Sequence, residues 1–429
     1  MAVLPRIKSA LHGSLNSYRG LRKEIYVLCI ARIINSMGAF VHPLLALILT
    51  KKIGFSVDQA GLFASMLLLI QAPIMLLGGK LADKYGRRKL AVVFQFCGAA
   101  AYLVCGLMQP SQGMVIMIAV ASCFYALTYP ALDAMAVDLT QCGQRKEAFA
   151  LLYMGFNLGF AIGPMLGGLM YQDHLQLLFI GDALTTIVAT VLICIYIKET
   201  LPQRNEQSAG TKPELEREIK GSIWKVLWGR KILIVFALVM LLFQFAYSQW
   251  AFGLPVQMGE QFGDNGGSAY GLLASFNGLL VIVFTPLITM LIRSWRVMVG
   301  TAVGGLLYAV AFGMLIFIRA LPLYYLSMII MTIGEMIMTI DAQAFVADYS
   351  PSSHRGRLNS VVNSISGTGR MLSPAIIGYI VAGCGLAAGW WTVSIAALAG
   401  GALLVGIIRS GMFKAHKVGD ACSEMDADV

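Results

Sequence analysis

Twelve uninterrupted apolar runs, each about the 20 residues a helix needs to cross a bilayer core, constrain this chain more than any other feature of it. Their limits are 25–50, 59–79, 90–109, 113–139, 147–171 and 176–198, then 230–256, 269–292, 298–318, 323–349, 357–382 and 387–409. A segment left in hydrocarbon must satisfy its own backbone polar groups, which leaves helices or closed barrels. The runs are continuously apolar, without the alternation of barrel strands, so the expected fold is an all-α membrane protein with twelve transmembrane helices. Composition agrees: 58% of the 429 residues are hydrophobic and 13% are charged, where a soluble domain carries roughly 25% charged residues. The eight cysteines stand singly in apolar segments with no CxxC or Cys/His cluster. They read as free thiols, and neither a metal nor a cofactor is expected.

Charge then sets topology. With loops assigned alternately to the two sides, 27 of the 32 Lys and Arg fall on the side of the termini, and only Lys51, Lys52 and Arg319 on the other. The positive-inside rule makes both termini cytoplasmic. The net charge of +10 is therefore a topology signal, and no nucleic-acid partner is expected. The basic segment before Glu24 lacks the short apolar core and cleavage site of a signal peptide, so the first run is expected to insert uncleaved into a cell membrane of bacterial inner-membrane type.

The halves of the chain repeat. At a fixed offset of 210 residues, Gly61 aligns with Gly271, Ser65 with Ser275, Asp138 with Asp348, Arg145 with Arg355, Pro164 with Pro374 and Gly168 with Gly378. Apolar composition alone would match Leu and Ala, but not Asp, Arg and Pro together. The expected organisation is a cytoplasmic segment 1–24, a six-helix bundle 25–198, a cytoplasmic linker 199–229, a second six-helix bundle 230–409 and a cytoplasmic tail 410–429. The linker's charged stretch from Glu214 to Lys220, followed by Trp224 and Trp228, reads as an interfacial amphipathic helix tethering the halves. Two parallel repeated halves about an axis along the membrane normal are a transporter design suited to alternating access.

Between runs 2 and 3 the chain reads Gly79-Lys80-Leu81-Ala82-Asp83-Lys84-Tyr85-Gly86-Arg87-Arg88-Lys89. This resembles the loop signature GxLaDrxGrkx of the major facilitator superfamily position for position. The resemblance implies that Asp83, Arg87 and Asp138 form a gating charge cluster that latches the outward-facing state; the second half retains only Arg293, Trp295 and Arg296 of the loop. Run 5 carries Gly159-xxx-Gly163-Pro164-xx-Gly167-Gly168, similar to the signature of the superfamily's antiporters, which implies export. Small residues at this spacing let helices pack backbone to backbone. Run 1, from Arg32 through Asn35 and Gly38 to His42-Pro43, is similar to the first helix of many 12-helix bacterial drug:proton antiporters. Run 4 departs from them, with Phe124, Tyr125 and Thr128 where many carry an arginine.

Ionisable groups inside the membrane are functional candidates by default. Counted from the cytoplasmic ends at 1.5 Å per residue, Glu335 in run 10 and Arg370 in run 11 both lie about 20 Å deep. An ion pair between them is expected, and displacing Arg370 would let Glu335 take up a proton; the alternative is a structural pair fixing two helices. Arg32 and Asp133, both about 10 Å deep, form a second candidate pair, and Asp341 is a second acid in run 10. Asp182 and His42 read as packing residues toward the outer side.

In such a fold Asn35, Tyr125, Tyr129, Phe243, Gln244, Tyr247 and Trp250 would line the central cavity. Aromatic faces with a buried acid suit lipophilic cations. The expected function is secondary active transport by a monomer in the lipid bilayer: proton-coupled export of lipophilic or cationic small molecules, as in multidrug efflux. The motifs GxGxxG after a strand, GxxxxGK[ST], HExxH and GxSxG are all absent, so no enzyme is expected. Two alternatives remain: a carrier of lipid or anionic metabolite bound through Arg32 and Arg370, and a non-transporting membrane sensor or assembly partner.

Overall fold

The computed structural model describes residues 20–140, 144–201, 231–292, 295–349 and 355–409. The linker helix expected around 214–228, the terminal segments and Arg293 lie outside them, as do the side chains of Arg145, Asp348 and Arg355. The described residues form helices and no strands. In the first half these are α1 (Lys23–Met37), α2 (Val41–Leu47), α3 (Val57–Tyr85), α4 (Arg87–Leu107), α5 (Gln112–Asp138), α6 (Arg145–Phe160), α7 (Gly163–Tyr171) and α8 (Leu175–Tyr196). The second half has α9 (Lys231–Tyr247), α10 (Gly253–Phe262), α11 (Gly266–Ile292), α12 (Val297–Met314), α13 (Leu321–Tyr349) and α14 (Arg355–Arg409).

Among the described residues, ten helical stretches are long and apolar enough to cross a membrane. Two of them, Ile232–Ile292 with 61 residues and Val361–Arg409 with 49, far exceed one crossing at 1.5 Å per residue. Each is broken: the first at Gly263–Asn265, the second at Gly385, whose φ of 82° lies in the left-handed region that glycine tolerates. Divided there, they account for the twelve runs.

Local sequence explains where the helices start and bend. Ser56 and Gln59 form a capping box that opens α3, and the Ser111 hydroxyl accepts from the Met114 N–H to open α5. The first crossing divides into α1 and α2 around Gly38–Phe40, and the seventh divides through a 3-10 turn at Ser248–Trp250. In the 210-residue repeat these two breaks coincide. Run 5 divides at Ala161–Ile162, just ahead of Pro164, which has no N–H to continue the helix.

The halves meet at the end away from the termini, and the matched residues of the repeat form the seam. The Ser275 hydroxyl accepts from the Met165 N–H at 2.9 Å, and Ser65 accepts from the Ala375 N–H at 2.9 Å. These two bonds are the same bond in the two halves of the repeat. Gly271 lies against the Pro164 carbonyl and Gly61 against the Pro374 carbonyl, so closely that a Cβ on either would overlap it. Toward the termini the facing surfaces part, leaving Arg32, Tyr129, Asp133 and Tyr153 substantially exposed in a cleft.

Candidate functional site

Glu335 projects from α13 at mid-depth and has both carboxylate oxygens satisfied by neutral donors. The Tyr247 hydroxyl on α9 donates to Oε1 at 2.7 Å, and Asn277 Nδ2 on α11 donates to Oε2 at 3.1 Å. Asn277 is itself positioned by Thr332 Oγ1 at 2.8 Å. Arg370 on α14 donates instead to Gln244 Oε1 at 3.1 Å, and its guanidinium lies 5.9 Å from the centre of the Tyr247 ring. The direct ion pair expected between Glu335 and Arg370 is therefore not made. Tyr247 stands between them, with its hydroxyl on the acid and its ring face on the base. Among the described residues no carboxylate lies within 4.0 Å of Arg370.

The first half holds a contrasting arginine. Arg32 on α1 pairs with Asp133 on α5 at 3.7 Å, and its guanidinium lies 5.9 Å from the Phe156 ring centre. From Phe156 a string of rings runs through Phe160 and Trp250 to Tyr247, with centroid steps of 5.9, 6.0 and 6.3 Å. The string crosses from one half to the other and has an arginine over each end. Tyr308 stacks on Tyr247 from behind at 5.9 Å and is buried. Of the expected cavity residues, Gln244, Tyr247 and Trp250 belong to this arrangement, and Tyr129 is half exposed on α5.

Others lie elsewhere. Phe243 is 1% exposed and packed on Gly305 and Gly400 inside the second half. It sits one residue off the cleft face of α9, so the helix turn carries it inward. Asn35 accepts from the Thr186 hydroxyl at 3.0 Å within the first half, and Tyr125 packs edge-on against Tyr102 with its ring over Gly98. Asp341 is buried against Gly300 of α12, with Oδ2 lacking a hydrogen-bond partner among the described residues. It is six residues beyond Glu335, which turns it to a different helix face. Asp182 is more than a packing residue: its Oδ2 accepts from the Phe40 and Val41 N–H groups at 3.1 and 3.2 Å, capping the start of α2 where the first crossing breaks. His42 is exposed on that same crossing and lies within electrostatic reach of Arg370.

The loop between α3 and α4 builds the second cluster. Arg87 forms ion pairs with Asp138 and, at 3.6 Å, with Asp83; it also donates to the Ala134 carbonyl at 3.2 Å. Arg87 and Asp138 are largely buried, while Asp83 is 69% exposed. Glu199, after α8, is an addition to the cluster: it accepts from the Arg87, Arg88 and Lys89 N–H groups at 2.7, 3.2 and 3.2 Å, capping α4. Gly86, with φ of 106°, leaves room for this carboxylate, since a Cβ there would come within 2.5 Å of Glu199 Oε2. Partial burial opposes ionisation of Glu199, but the N–H donors of Lys89, Arg88, Leu201 and Arg87 outweigh it and hold the carboxyl below its usual range. Nothing in spacing points to Glu199, which is 112 residues from Arg87.

The glycine stripe of run 5 is a close-packing face. Gly159 and Gly163 lie on the backbone of α1 around Ile33–Met37, Gly167 lies on Phe40, and Gly168 lies on Gly267 of the other half. Pro164 stands in the first turn of α7 and presents its carbonyl to Gly271.

The sequence and the fold have counterparts among known proteins. The family model of the Major Facilitator Superfamily matches residues 28–374. A Na(+), Li(+), K(+)/H(+) antiporter of Planococcus maritimus is 22% identical over 368 residues, covering 80% of this chain and 86% of that protein. The quinolone resistance protein NorA of Staphylococcus aureus is 24% identical over 232 residues, covering 53% of this chain and 58% of that protein. Among solved structures, a peptide transporter POT in complex with sulfate superposes with a TM-score of 0.74 at 15% identity, covering 91% of this chain and 95% of that one. The twelve-run helical fold, the loop signature and the family match converge: this chain belongs to the Major Facilitator Superfamily.

Proposed function

We propose that this transporter couples proton movement to export of lipophilic or cationic compounds, with Glu335 carrying the proton and both termini in the cytoplasm. The observation that carries the reading is the placement of Tyr247. Its hydroxyl holds Glu335 and its ring carries Arg370, so one side-chain movement changes the surroundings of both charges. Movement of α9 against α13 would break the Tyr247 hydrogen bond. The acid would then keep only the Asn277 donor at a depth where an uncompensated charge is expensive. Uptake and release of a proton would thereby follow the conformational cycle.

Further support comes from the cation/proton antiport of the Planococcus relative and the drug resistance of the Staphylococcus one. The glycine stripe of α6 and α7, packed on α1 and on α11 without bulky side chains, suits a face that slides during rocking. In the cycle, Glu335 is protonated from the outside, cargo leaves, and the proton passes to the cytoplasm as the halves rock back.

The test is proton flux in liposomes with an acid-inside gradient and a panel of lipophilic compounds added outside. Cargo-dependent loss of the gradient in wild type, reduced about tenfold or more in Glu335→Gln, is the expected result. Equal flux in both proteins would remove Glu335 from the coupling; no flux with any compound would overturn proton antiport.

A further inference from the structure

The two arginines well inside the apolar runs are not equivalent. Arg32 has a carboxylate partner in Asp133 at 3.7 Å. Arg370 has none within 4.0 Å among the described residues; it donates to the neutral Gln244, and the residue is exposed to the cleft. The nearest acid, Glu335, already has both oxygens occupied by Tyr247 and Asn277. His42, the titratable group reaching this point from the first half, can add positive charge and no negative charge. The cleft therefore carries a guanidinium that no carboxylate contacts among the described residues, and a guanidinium is the side chain best matched to a carboxylate through paired N–H donors.

What lies beside Arg370 narrows the ligand further. Tyr247 under the guanidinium is the last ring of the Phe156–Phe160–Trp250–Tyr247 string. An apolar body beside it would contact a mixture of ring faces and edges from both halves. We propose that Arg370 anchors the acidic group of an aromatic carboxylate, whose ring system lies beside this string, so that among the lipophilic compounds of the transport reading the preferred cargo is anionic and not cationic. The inference rests on the transport reading above for its biological meaning, but binding can be read without transport.

The experiment is calorimetric binding to the full chain in lipid nanodiscs, with empty discs as the blank. The probes are naphthoate, its cationic isostere naphthylmethylamine, and a lysophosphatidate, which offers the same anionic chemistry from a lipid headgroup. Naphthoate should bind about tenfold or more tightly than naphthylmethylamine, and Arg370→Gln should weaken naphthoate by about tenfold or more, the scale of a hydrogen-bonded charge. Arg370→Lys, which keeps the charge without the fork, should fall between, and Lys52→Gln, a cation at the closed end that donates to the Gln172 carbonyl away from the ring string, should leave naphthoate affinity within about twofold. A monodisperse elution profile for each variant separates lost binding from lost fold.

Preference for the amine, or naphthoate affinity unchanged in Arg370→Gln, overturns the anchor. Lysophosphatidate displacing naphthoate and binding more tightly overturns the aromatic carboxylate in favour of a lipid. Glu335-dependent proton flux that persists when naphthoate fails to bind leaves coupling intact and removes only the anchor. Arg370-dependent naphthoate binding without proton flux removes only the coupling.

Discussion

Tyr247 does two separable jobs at one residue, and substitution can divide them. Tyr247→Phe removes the 2.7 Å hydrogen bond to Glu335 and keeps the ring beneath Arg370. Hydrogen bonds to a charged partner contribute about 1.5–3 kcal/mol. On that scale the variant should lose about tenfold or more in proton flux per cargo molecule while cargo affinity stays within about twofold; equal losses in both would show that the ring and the hydroxyl act as one unit. Glu199 makes a second prediction at this scale. Its carboxyl sits below the ordinary carboxylate value of 4.5 because four N–H donors favour the charged form over the cost of partial burial. A depressed folded value means that the stabilisation is present above the unfolded value and is lost as pH falls through the folded one. Thermal unfolding of the wild type should thus drop as pH is lowered below about 4.5. Glu199→Gln should lie lower at neutral pH, by about the 1 kcal/mol of a lost helix cap, and converge with wild type in acid. Parallel curves would remove Glu199 as a source of the pH dependence.

At the scale of helices, sequence and structure part company in an instructive way. Every ionisable residue inside an apolar run is visible as an anomaly, because charge in hydrocarbon is costly enough to stand out from composition. Its partner is not. Depth places Glu335 and Arg370 at one level, but the rotation of a helix is set by packing against its neighbours. That packing inserts Tyr247 between them and turns Phe243 and Asp341 inward. The repeat is more informative, because matched small and polar residues mark places where backbone meets backbone. Gly61, Ser65, Pro164 and their partners 210 residues on are the seam between the halves. Adding a methyl there should oppose the closed seam. In Gly271→Ala the new Cβ would overlap the Pro164 carbonyl, a backbone atom that cannot swing aside. Overpacking of this kind costs about 1–3 kcal/mol, enough to shift a two-state equilibrium by about tenfold. Spin labels on exposed Asp173 and Asn265 should report a longer-distance population in Gly271→Ala, and not in Gly383→Ala, whose Cβ meets nothing within 4 Å. An unchanged distribution in Gly271→Ala would show that the seam does not control the opening of that end.

The whole molecule is asymmetric across the membrane although its halves are nearly equivalent. One end is shut by the pair of repeat-related serine bonds and the glycine contacts, and the other is parted around Arg32, Tyr129, Asp133 and Tyr153. Alternating access requires that such a state exchange with its opposite about a fixed central site, and the string of rings crossing between the halves lies at that centre. From the distribution of Lys and Arg and the positive-inside rule we propose that the open end faces the cytoplasm. Both statements can be read from one labelling experiment in a variant whose eight cysteines are replaced by serine. Tyr153 is 53% exposed on α6 and within electrostatic reach of Glu335, so a cysteine there reports the cleft. A membrane-impermeant maleimide should label Tyr153→Cys in inside-out vesicles and leave it largely unmodified in right-side-out ones. Asp173→Cys, in the loop at the closed end, should show the reverse. Labelling of Tyr153→Cys from the outside alone would invert the orientation, while equal labelling from both sides would mean that the seam is open as often as it is shut. Adding the cargo outside to right-side-out vesicles should then increase Tyr153→Cys labelling, because cargo on that side reaches only the outward-open state and shifts the population toward it.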